Sequence, residues 1–323
     1  MKGYIDLHAH LDGSINLDIA KRLARLQGIT LPTDDDNKLS SLLSISDSCR
    51  DLNDFLKCFE LPLTLLQTEA GIKEAVYLIL ENMREDGVIY SEIRFAPQLH
   101  TKGGLSQEKV IRAAIEGLRK SKIPGNLILC CMRGDKNERE NRLTVELAHE
   151  YLSKNEGVVA IDLAGAEAVY PTKNFISILK LASSYDIPMT IHAGEAGSAE
   201  DIKVAIEMGA RRIGHGVRAY EDENVMRLIK DKGIYLEMCP TSNYYTKAVP
   251  DMREYSLLKF LNMGIKVTVN TDDMAIVRTT LSKEFKYIED LLGLTDMQKE
   301  VIFNNSLEAS FASRETKERL ISV

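Results

Sequence analysis

The stretch "YIDLHAH", Tyr4–His10, opens the chain with a hydrophobic run that ends in two histidines. Side chains at positions i and i+2 of a β-strand point to the same face, so Asp6, His8 and His10 should face one way. The chain has six histidines in all, and histidine is the commonest metal ligand in proteins. Taken alone, the pair fits a metal site and a pair of buried, hydrogen-bonded histidines equally well.

Seven further short apolar runs follow "YIDLHAH" along the chain. Near-continuous runs of this kind are typical of buried parallel strands. Each ends in polar residues or glycine, and they cover residues 88–95, 126–133, 157–165, 187–195, 211–216, 233–240 and 266–273. Together with the first run they predict eight strands.

Segments of helical periodicity separate most of these runs. Val76, Ile79, Leu80 and Met83 keep the spacing of one buried helix face, and the segment from Ser198 begins like a capped helix that a glycine closes. Eight strand–helix units predict an α/β fold, a closed (β/α)₈ TIM barrel. A doubly wound open sheet is the alternative, but no Gly-x-Gly-x-x-Gly turn follows any of the runs.

Two regions exceed the repeat. Residues 13–86 are too long for one crossover, and we expect extra helices there, including "LNDFLKCFELPLTLLQ"; the tail from Thr295 also has a helical pattern. No linker or low-complexity segment interrupts the chain, which predicts a single domain over residues 1–323.

Composition restricts the partners and the compartment. The net charge of −7 argues against a general nucleic-acid binder, which usually has a basic face. No run approaches the roughly 18 apolar residues of a membrane span, and polar residues follow the start too soon for a signal peptide. Five cysteines without a Cys-x-x-Cys pair favour a reducing compartment. We therefore expect a cytoplasmic protein without nucleic-acid or membrane partners; the oligomeric state stays open.

The predicted strand ends are unusually polar. In barrels of this class the chemistry lies at the C-terminal ends of the strands. Four of the six histidines fall at three of these ends, and acidic residues accompany them: His8, His10 and Asp12; Asp162; His192 and Glu195; His215; Asp272 and Asp273. Singly, His192 is more typical of a packing residue, and Asp272 could begin a helix over "DDMAIVRTTL". Their convergence on one rim favours a shared site.

Imidazole and carboxylate ligands without thiolate suit zinc or another borderline divalent ion. Three histidines and one carboxylate would leave a position for water, whose pKa zinc lowers to about 7. Glu195, three residues after His192, is well placed to donate a proton to a substrate. Neighbouring strand residues point to opposite faces, so one aspartate of Asp272 and Asp273 should bind metal and the other substrate.

With these residues assembled, the chain closely resembles the adenosine deaminase family. The matching motifs stand in family order over nearly the whole length: "HAHLDGS", "DLAGAE", "HAGEAG", "RIGHGVR", "EMCPTSN" and "NTDD". The resemblance implies the same barrel and one zinc ion with four ligands: His8, His10, His192 and Asp272. It also implies hydrolysis of adenosine, and of 2′-deoxyadenosine, to inosine or deoxyinosine and ammonia in purine salvage.

The resemblance assigns the remaining roles as well. Glu195 would donate a proton to purine N1, and His215 would orient or activate the hydroxide on zinc, beside Asp272. The implied substrate contacts are Asp273 with purine N7, Gly165 with the ring edge, and His10 and Asp12 near the ribose. The small-molecule partner is therefore a purine nucleoside.

Three details bear on the substrate. Aspartate at Asp12 is the pattern of family members that hold a ribose hydroxyl, whereas related adenine deaminases tend to have glutamate there. The stretch from Phe59, "FELPLTLLQT", resembles the bacterial lid that covers the nucleoside. Lys247 and Ala166 depart from the commoner glycine and aspartate, which leaves the breadth of substrates open.

Three alternatives remain at this stage. One is an adenine or modified-adenosine deaminase of the same family. Another is a metal-dependent phosphoesterase or amide hydrolase, although the strand from Gly157 lacks the lysine that two-metal relatives use. The third is a catalytically inactive nucleoside-binding protein. Loss of Glu195 or of a metal ligand would indicate such a protein, and the sequence retains Glu195 and every implied ligand.

Overall fold

The computed structural model describes residues 3–45, 55, 57–153 and 155–322. Eight strands form two parallel four-stranded sheets, in the orders β1-β2-β3-β4 and β5-β6-β7-β8. The strands are β1 (Tyr4–His10), β2 (Val88–Phe95), β3 (Gly125–Met132), β4 (Val158–Ala164), β5 (Thr190–Ala193), β6 (Arg212–His215), β7 (Tyr235–Met238) and β8 (Lys266–Val269).

Backbone hydrogen bonds join the two sheets at both edges. At one edge, the amide of His10 donates to the carbonyl of Asp272 at 2.9 Å, and the amide of Asp272 donates to the carbonyl of His8 at 2.7 Å. At the other edge, the amide of Ile161 on β4 donates to the carbonyl of Pro188 at 3.0 Å. The strands thus form a ring, and the predicted α/β barrel fold is confirmed.

Fourteen α-helices lie in the described part of the chain. They are α1 (Leu17–Gln27), α2 (Asp36–Leu43), α3 (Glu60–Leu65), α4 (Glu69–Glu85), α5 (Gln107–Lys120), α6 (Glu138–Glu150), α7 (Ile176–Ser184), α8 (Ala199–Glu207), α9 (Glu223–Lys232), α10 (Pro240–Tyr245), α11 (Leu257–Asn262), α12 (Leu281–Leu292), α13 (Asp296–Ala309) and α14 (Arg314–Ser322). The extra helices expected after the first strand and in the tail are present; part of "LNDFLKCFELPLTLLQ" lies outside the described residues. None of these helices is both long and apolar enough to cross a membrane.

Local sequence explains where several helices begin and which face they bury. The predicted apolar face over residues 76–83 is buried on α4, whose first turn the hydroxyl of Thr68 caps. Ser198 and Asp201 form the expected capping box at the start of α8. Helices of this kind surround the sheets and cover their outer faces.

One of the two interpretations left open for Asp272 is excluded: residues after Asp272 do not begin a helix. Helix α12 starts only at Leu281, and the segment before it consists mainly of turns. Asp272 has a φ of 61° and Arg278 a φ of 55°, values that a right-handed helix excludes. The backbone bonds from Asp272 to β1 impose this path, which local composition does not reveal.

Candidate active site

Four side chains bring their ligand atoms together at the C-terminal rim of the barrel. Nε2 of His192 lies 3.1 Å from Nε2 of His8 and 3.3 Å from Nε2 of His10. Oδ1 of Asp272 lies 3.2 Å from His8 Nε2 and 3.3 Å from His10 Nε2. Ligand atoms around a tetrahedral zinc ion with bonds of 2.0–2.1 Å are about 3.3 Å apart. The spacing of this quartet therefore fits zinc.

A carboxylate stands behind two of these imidazoles. His8 Nδ1 lies 2.8 Å from Glu237 Oε2, and His192 Nδ1 lies 2.7 Å from Asp162 Oδ2. Each carboxylate favours a proton on Nδ1, which leaves a lone pair on Nε2. Burial lowers the pKa of His8, and lowers the pKa of His192 to about 3, so both rings are neutral at pH 7. Two facing lone pairs repel each other, and a cation between them removes that repulsion.

Arg94 on β2 ties the two carboxylates together in the barrel interior. Its fully buried guanidinium lies 2.8 Å from Asp162 and 2.7 Å from Glu237. Burial alone would raise the pKa of both carboxyls. His192 and Arg94 nevertheless hold the pKa of Asp162 well below its ordinary value, and Arg94 and Arg212 lower that of Glu237. The carboxylates behind the histidines are therefore ionised.

His215 stands beside the quartet, next to the second oxygen of Asp272. Its Nε2 lies 3.8 Å from Asp272 Oδ2 and 3.5 Å from Glu195 Oε2. Its Nδ1 lies 3.1 Å from the side-chain nitrogen Nδ2 of Asn243. A Cβ on the preceding Gly214 would stand 3.0 Å from the ring of His8, so a glycine there lets the two histidines approach. The small neighbours of His215 in the sequence thus serve close packing.

His10 and His215 compete for the position of the fourth ligand. His8, His192, His215 and Asp272 also offer ligand atoms within 4.8 Å of one another. His10 is favoured because its Nε2 approaches both His192 and Asp272 Oδ1 to 3.3 Å. Nε2 of His215 lies nearer to the other oxygen of Asp272, at 3.8 Å from Oδ2.

Glu195 points its carboxyl group towards His215 from the loop after β5. The hydroxyl of Thr246 donates to Oε1 at 2.9 Å, and Asn243 Nδ2 approaches the same oxygen at 3.5 Å. Burial raises the pKa of Glu195, and Asp272 raises it further, whereas the neighbouring imidazole of His215 opposes the rise. Glu195 therefore keeps a proton to higher pH than an ordinary glutamate does.

The predicted substrate contacts occupy three different loops of the same rim. Asp273 is buried, and its Oδ1 has no hydrogen-bond partner among the described residues. Burial, together with Asp272 and Asp12, raises the pKa of Asp273 well above its ordinary value. Gly165 follows β4 with a φ of 107°, and Asp12 lies buried in the turn after β1.

A cavity of about 260 Å³ opens in front of the quartet. Phe59, the first residue of the stretch expected to form the lid, lies in its wall next to Phe55, and Lys247 lies at its exposed rim. Asp12 is not among the residues that line it. The predicted site residues that do are His10, Gly165, His192, Glu195, His215, Asp272 and Asp273.

Sequence reasoning assigned no role to several residues that shape the site. Asn243 bridges Glu195 and His215, and the hydroxyl of Tyr255 donates to its Oδ1 at 2.9 Å. Two signals were available for Glu237: it opens the "EMCPTSN" motif, and it is a charged residue inside a buried strand, where an unpaired charge is rarely tolerated. Asn243 and Thr246 lie in or beside the "EMCPTSN" motif, but their partners are distant in sequence.

The fold and the site define a class: a (β/α)₈ barrel hydrolase with a candidate centre for one divalent metal ion at its C-terminal rim. A model of the adenosine deaminase family matches residues 4–323. The chain belongs to the adenosine deaminase family.

Individual relatives agree with this membership. The chain is 43% identical to an adenosine deaminase of Haemophilus ducreyi, over 99% of this chain and 95% of that one. It is 41% identical to an adenosine deaminase of Clostridium botulinum strain Okra, over 98% of this chain and 96% of the other. Among solved structures, the adenine deaminase of Arthrobacter aurescens superposes with a TM-score of 0.89 at 27% identity, covering 100% of this chain and 98% of that chain.

Proposed function

We propose that this chain catalyses the zinc-dependent hydrolysis of adenosine and 2′-deoxyadenosine at purine C6, which releases ammonia and leaves inosine or deoxyinosine. One observation carries the proposal: three members of the quartet, His10, His192 and Asp272, line the same cavity as Glu195, and the fully buried His8 lies 3.1 Å from His192, Nε2 to Nε2. The curated relatives named above are adenosine deaminases, which supports the same substrate. A role in purine salvage, in the cytoplasm, follows as part of the proposal.

His8, His10, His192 and Asp272 would hold one zinc ion per chain. A zinc ion bound there would lower the pKa of a coordinated water to about 7 and so supply hydroxide at neutral pH. Glu237 and Asp162 would keep the imidazoles of His8 and His192 in the tautomer that presents a lone pair.

Glu195 would deliver a proton to purine N1. Protonation of N1 withdraws electron density from C6 and makes that carbon open to attack by hydroxide. A general acid works best when its pKa lies near the working pH, and burial moves the pKa of Glu195 in that direction. The bond from Thr246 fixes Oε1 of this carboxyl group, so Oε2 is left for the substrate.

The remaining contacts would orient the nucleoside. Purine N7 is a hydrogen-bond acceptor, so Asp273 would donate to it from Oδ1 as the protonated carboxyl that its raised pKa favours; this atom has no partner among the described residues. Gly165 has no side chain and allows the ring edge to approach the backbone. His10 would lie beside the ribose, and Phe59 would help to exclude water. Asp12 lies outside the cavity lining, so its contact with the ribose rests on the family resemblance alone.

A direct assay tests the reaction. Purified, zinc-loaded protein should convert adenosine to inosine, which is followed as falling absorbance near the adenosine maximum. The same assay with 2′-deoxyadenosine, adenine and AMP defines the substrate. Turnover of adenine or AMP in preference to both nucleosides would overturn the substrate assignment, and so would the absence of any turnover of adenosine.

The choice of the fourth ligand is tested by two matched substitutions. We expect His10→Ala to lose zinc and His215→Ala to retain one zinc ion per chain while losing turnover, both measured by metal analysis of folded protein. Zinc loss in His215→Ala with retention in His10→Ala would reverse the assignment.

A further inference from the structure

A single carboxylate is bound by four successive backbone amides in the loop that carries Glu195. Oε1 of Glu167 accepts a hydrogen bond from the amide of Gly194 at 2.6 Å. Oε2 accepts three more: from Glu195 at 3.1 Å, Ala196 at 3.0 Å and Gly197 at 2.9 Å. Glu167 itself is buried and lies in the loop after β4.

Consecutive amides that point at one spot form a nest, an arrangement that binds anions. Hydrogen bonds to an ionised acceptor are roughly twice as strong as those between neutral groups. A Cβ at Gly197 would stand 2.5 Å from Oε1 of Glu167, so a glycine at this position lets the carboxylate reach all four amides. The four amides therefore form an anion-binding site, and the anion that occupies it is the carboxylate of Glu167.

Two further ties join the same loops. Oδ1 of Asp201, in the first turn of α8, accepts from the amide of Thr172 in the region after β4 at 2.6 Å. Arg133, which follows β3, donates to the carbonyl of His192 at 2.6 Å and to the carbonyl of Tyr170 at 2.7 Å. The loops after β4 and β5 thus form one connected unit beside the cavity.

We propose that Glu167 is a positioning residue for the deamination, one that fixes the backbone of the loop from Gly194 to Gly197 and so aims the side chain of Glu195. The proposal rests on the proposed function, because the orientation of Glu195 matters only if Glu195 donates the proton. Thr246 holds the carboxyl end of Glu195, and Glu167 holds its backbone amide, so the proton donor is fixed at both ends. A displacement of about 1 Å at a reacting group can reduce a rate about 100-fold.

Two substitutions of Glu167 separate positioning from general folding. Glu167→Gln keeps the shape of the side chain but places its NH₂ group, a donor, next to a backbone N–H, which is also a donor. Glu167→Gly removes the carboxylate from the nest. We expect both variants to keep one zinc ion per chain, with kcat reduced about 10- to 100-fold and KM changed much less. Glu200→Gln, at an exposed acid of the same region, is the matched control and should keep the wild-type rate.

Chemical rescue gives the decisive readout. Added formate should occupy the empty nest of Glu167→Gly and raise its kcat several-fold, whereas neutral formamide should not; neither should affect the wild type. A wild-type kcat in Glu167→Gln would overturn the proposal. So would a loss of activity that only follows loss of zinc or of folded protein in both variants, or folded, zinc-bound Glu167→Gly that formate leaves unchanged. If the wild type itself fails to turn over adenosine, the proposed function fails instead; formate binding to the nest is then read from the thermal stability of Glu167→Gly.

Discussion

Replacing Glu195 by glutamine should abolish most of the activity while leaving the fold and the metal site in place. Glutamine has the same shape, and its amide oxygen can still accept the hydroxyl of Thr246, which lies 2.9 Å from Oε1. The other terminal atom lies 3.5 Å from His215 Nε2, too far for a strong bond to be lost. The substitution therefore removes the transferable proton and little else.

The size of the effect follows from the role of Glu195. General acid catalysis contributes typically 10²- to 10⁴-fold, which corresponds to about 3–5 kcal/mol of activation free energy. The fold should lose no stability at neutral pH. Burial of the ionised carboxyl is unfavourable, as the raised pKa indicates, and a neutral amide avoids that penalty. Lower activity with equal or greater thermal stability is the expected signature.

The assay combines adenosine turnover, metal analysis and thermal unfolding on the same preparations. Thr246→Val provides the comparison, because it removes one hydrogen bond to Glu195 but keeps the proton. We expect that variant to lose about fivefold in kcat, the equivalent of one hydrogen bond of about 1 kcal/mol. Glu195→Gln that keeps zinc and a near-normal rate would refute the proton-donor role.

Two further predictions concern groups behind the site. Glu237→Gln removes the carboxylate that lies 2.8 Å from His8, so zinc affinity should fall about 10- to 100-fold in a competition assay with a chelating dye; an unchanged affinity would contradict the backing role. Burial raises the pKa of Glu284 from 4.5 to about 7, so its contribution to stability is complete below pH 4.5 and is lost as pH rises through 7. In urea unfolding, the free energy of unfolding of Glu284→Gln should therefore rise by about 3 kcal/mol relative to that of the wild type between pH 4 and pH 8.5. A difference between the two proteins that stays constant with pH would contradict this prediction.

Much of the barrel could be predicted from sequence because buried parallel strands have a distinct composition. Strands β1 and β2 have the predicted bounds, and β3 begins one residue before its predicted run. Strands β5 to β8 are only four residues long, because the chain bends into loops soon after residues such as Ala193 and His215. The histidines and acidic residues at the strand ends could also be predicted, because polar residues that end an apolar run are easily recognised in the sequence.

The sequence did not reveal what lies between distant segments. Glu237 and His8 are 229 positions apart, and no local pattern joins them. Likewise, four amides after His192 converge on Glu167 because their loop bends into a nest, a tertiary arrangement that composition does not specify. The sequence left a helix after Asp272 open because its residues favour one, while its backbone bonds to β1 prevent it.

The central claim is that one metal ion held by the quartet makes this chain an adenosine deaminase, and a metal titration tests it most directly. Protein stripped with a chelator is supplied with zinc in steps, and adenosine turnover is measured after each addition. We predict no turnover at the start, a linear rise up to one zinc ion per chain, and a constant rate beyond it. Full turnover by the stripped protein, or a rise that continues to two ions per chain, would contradict it.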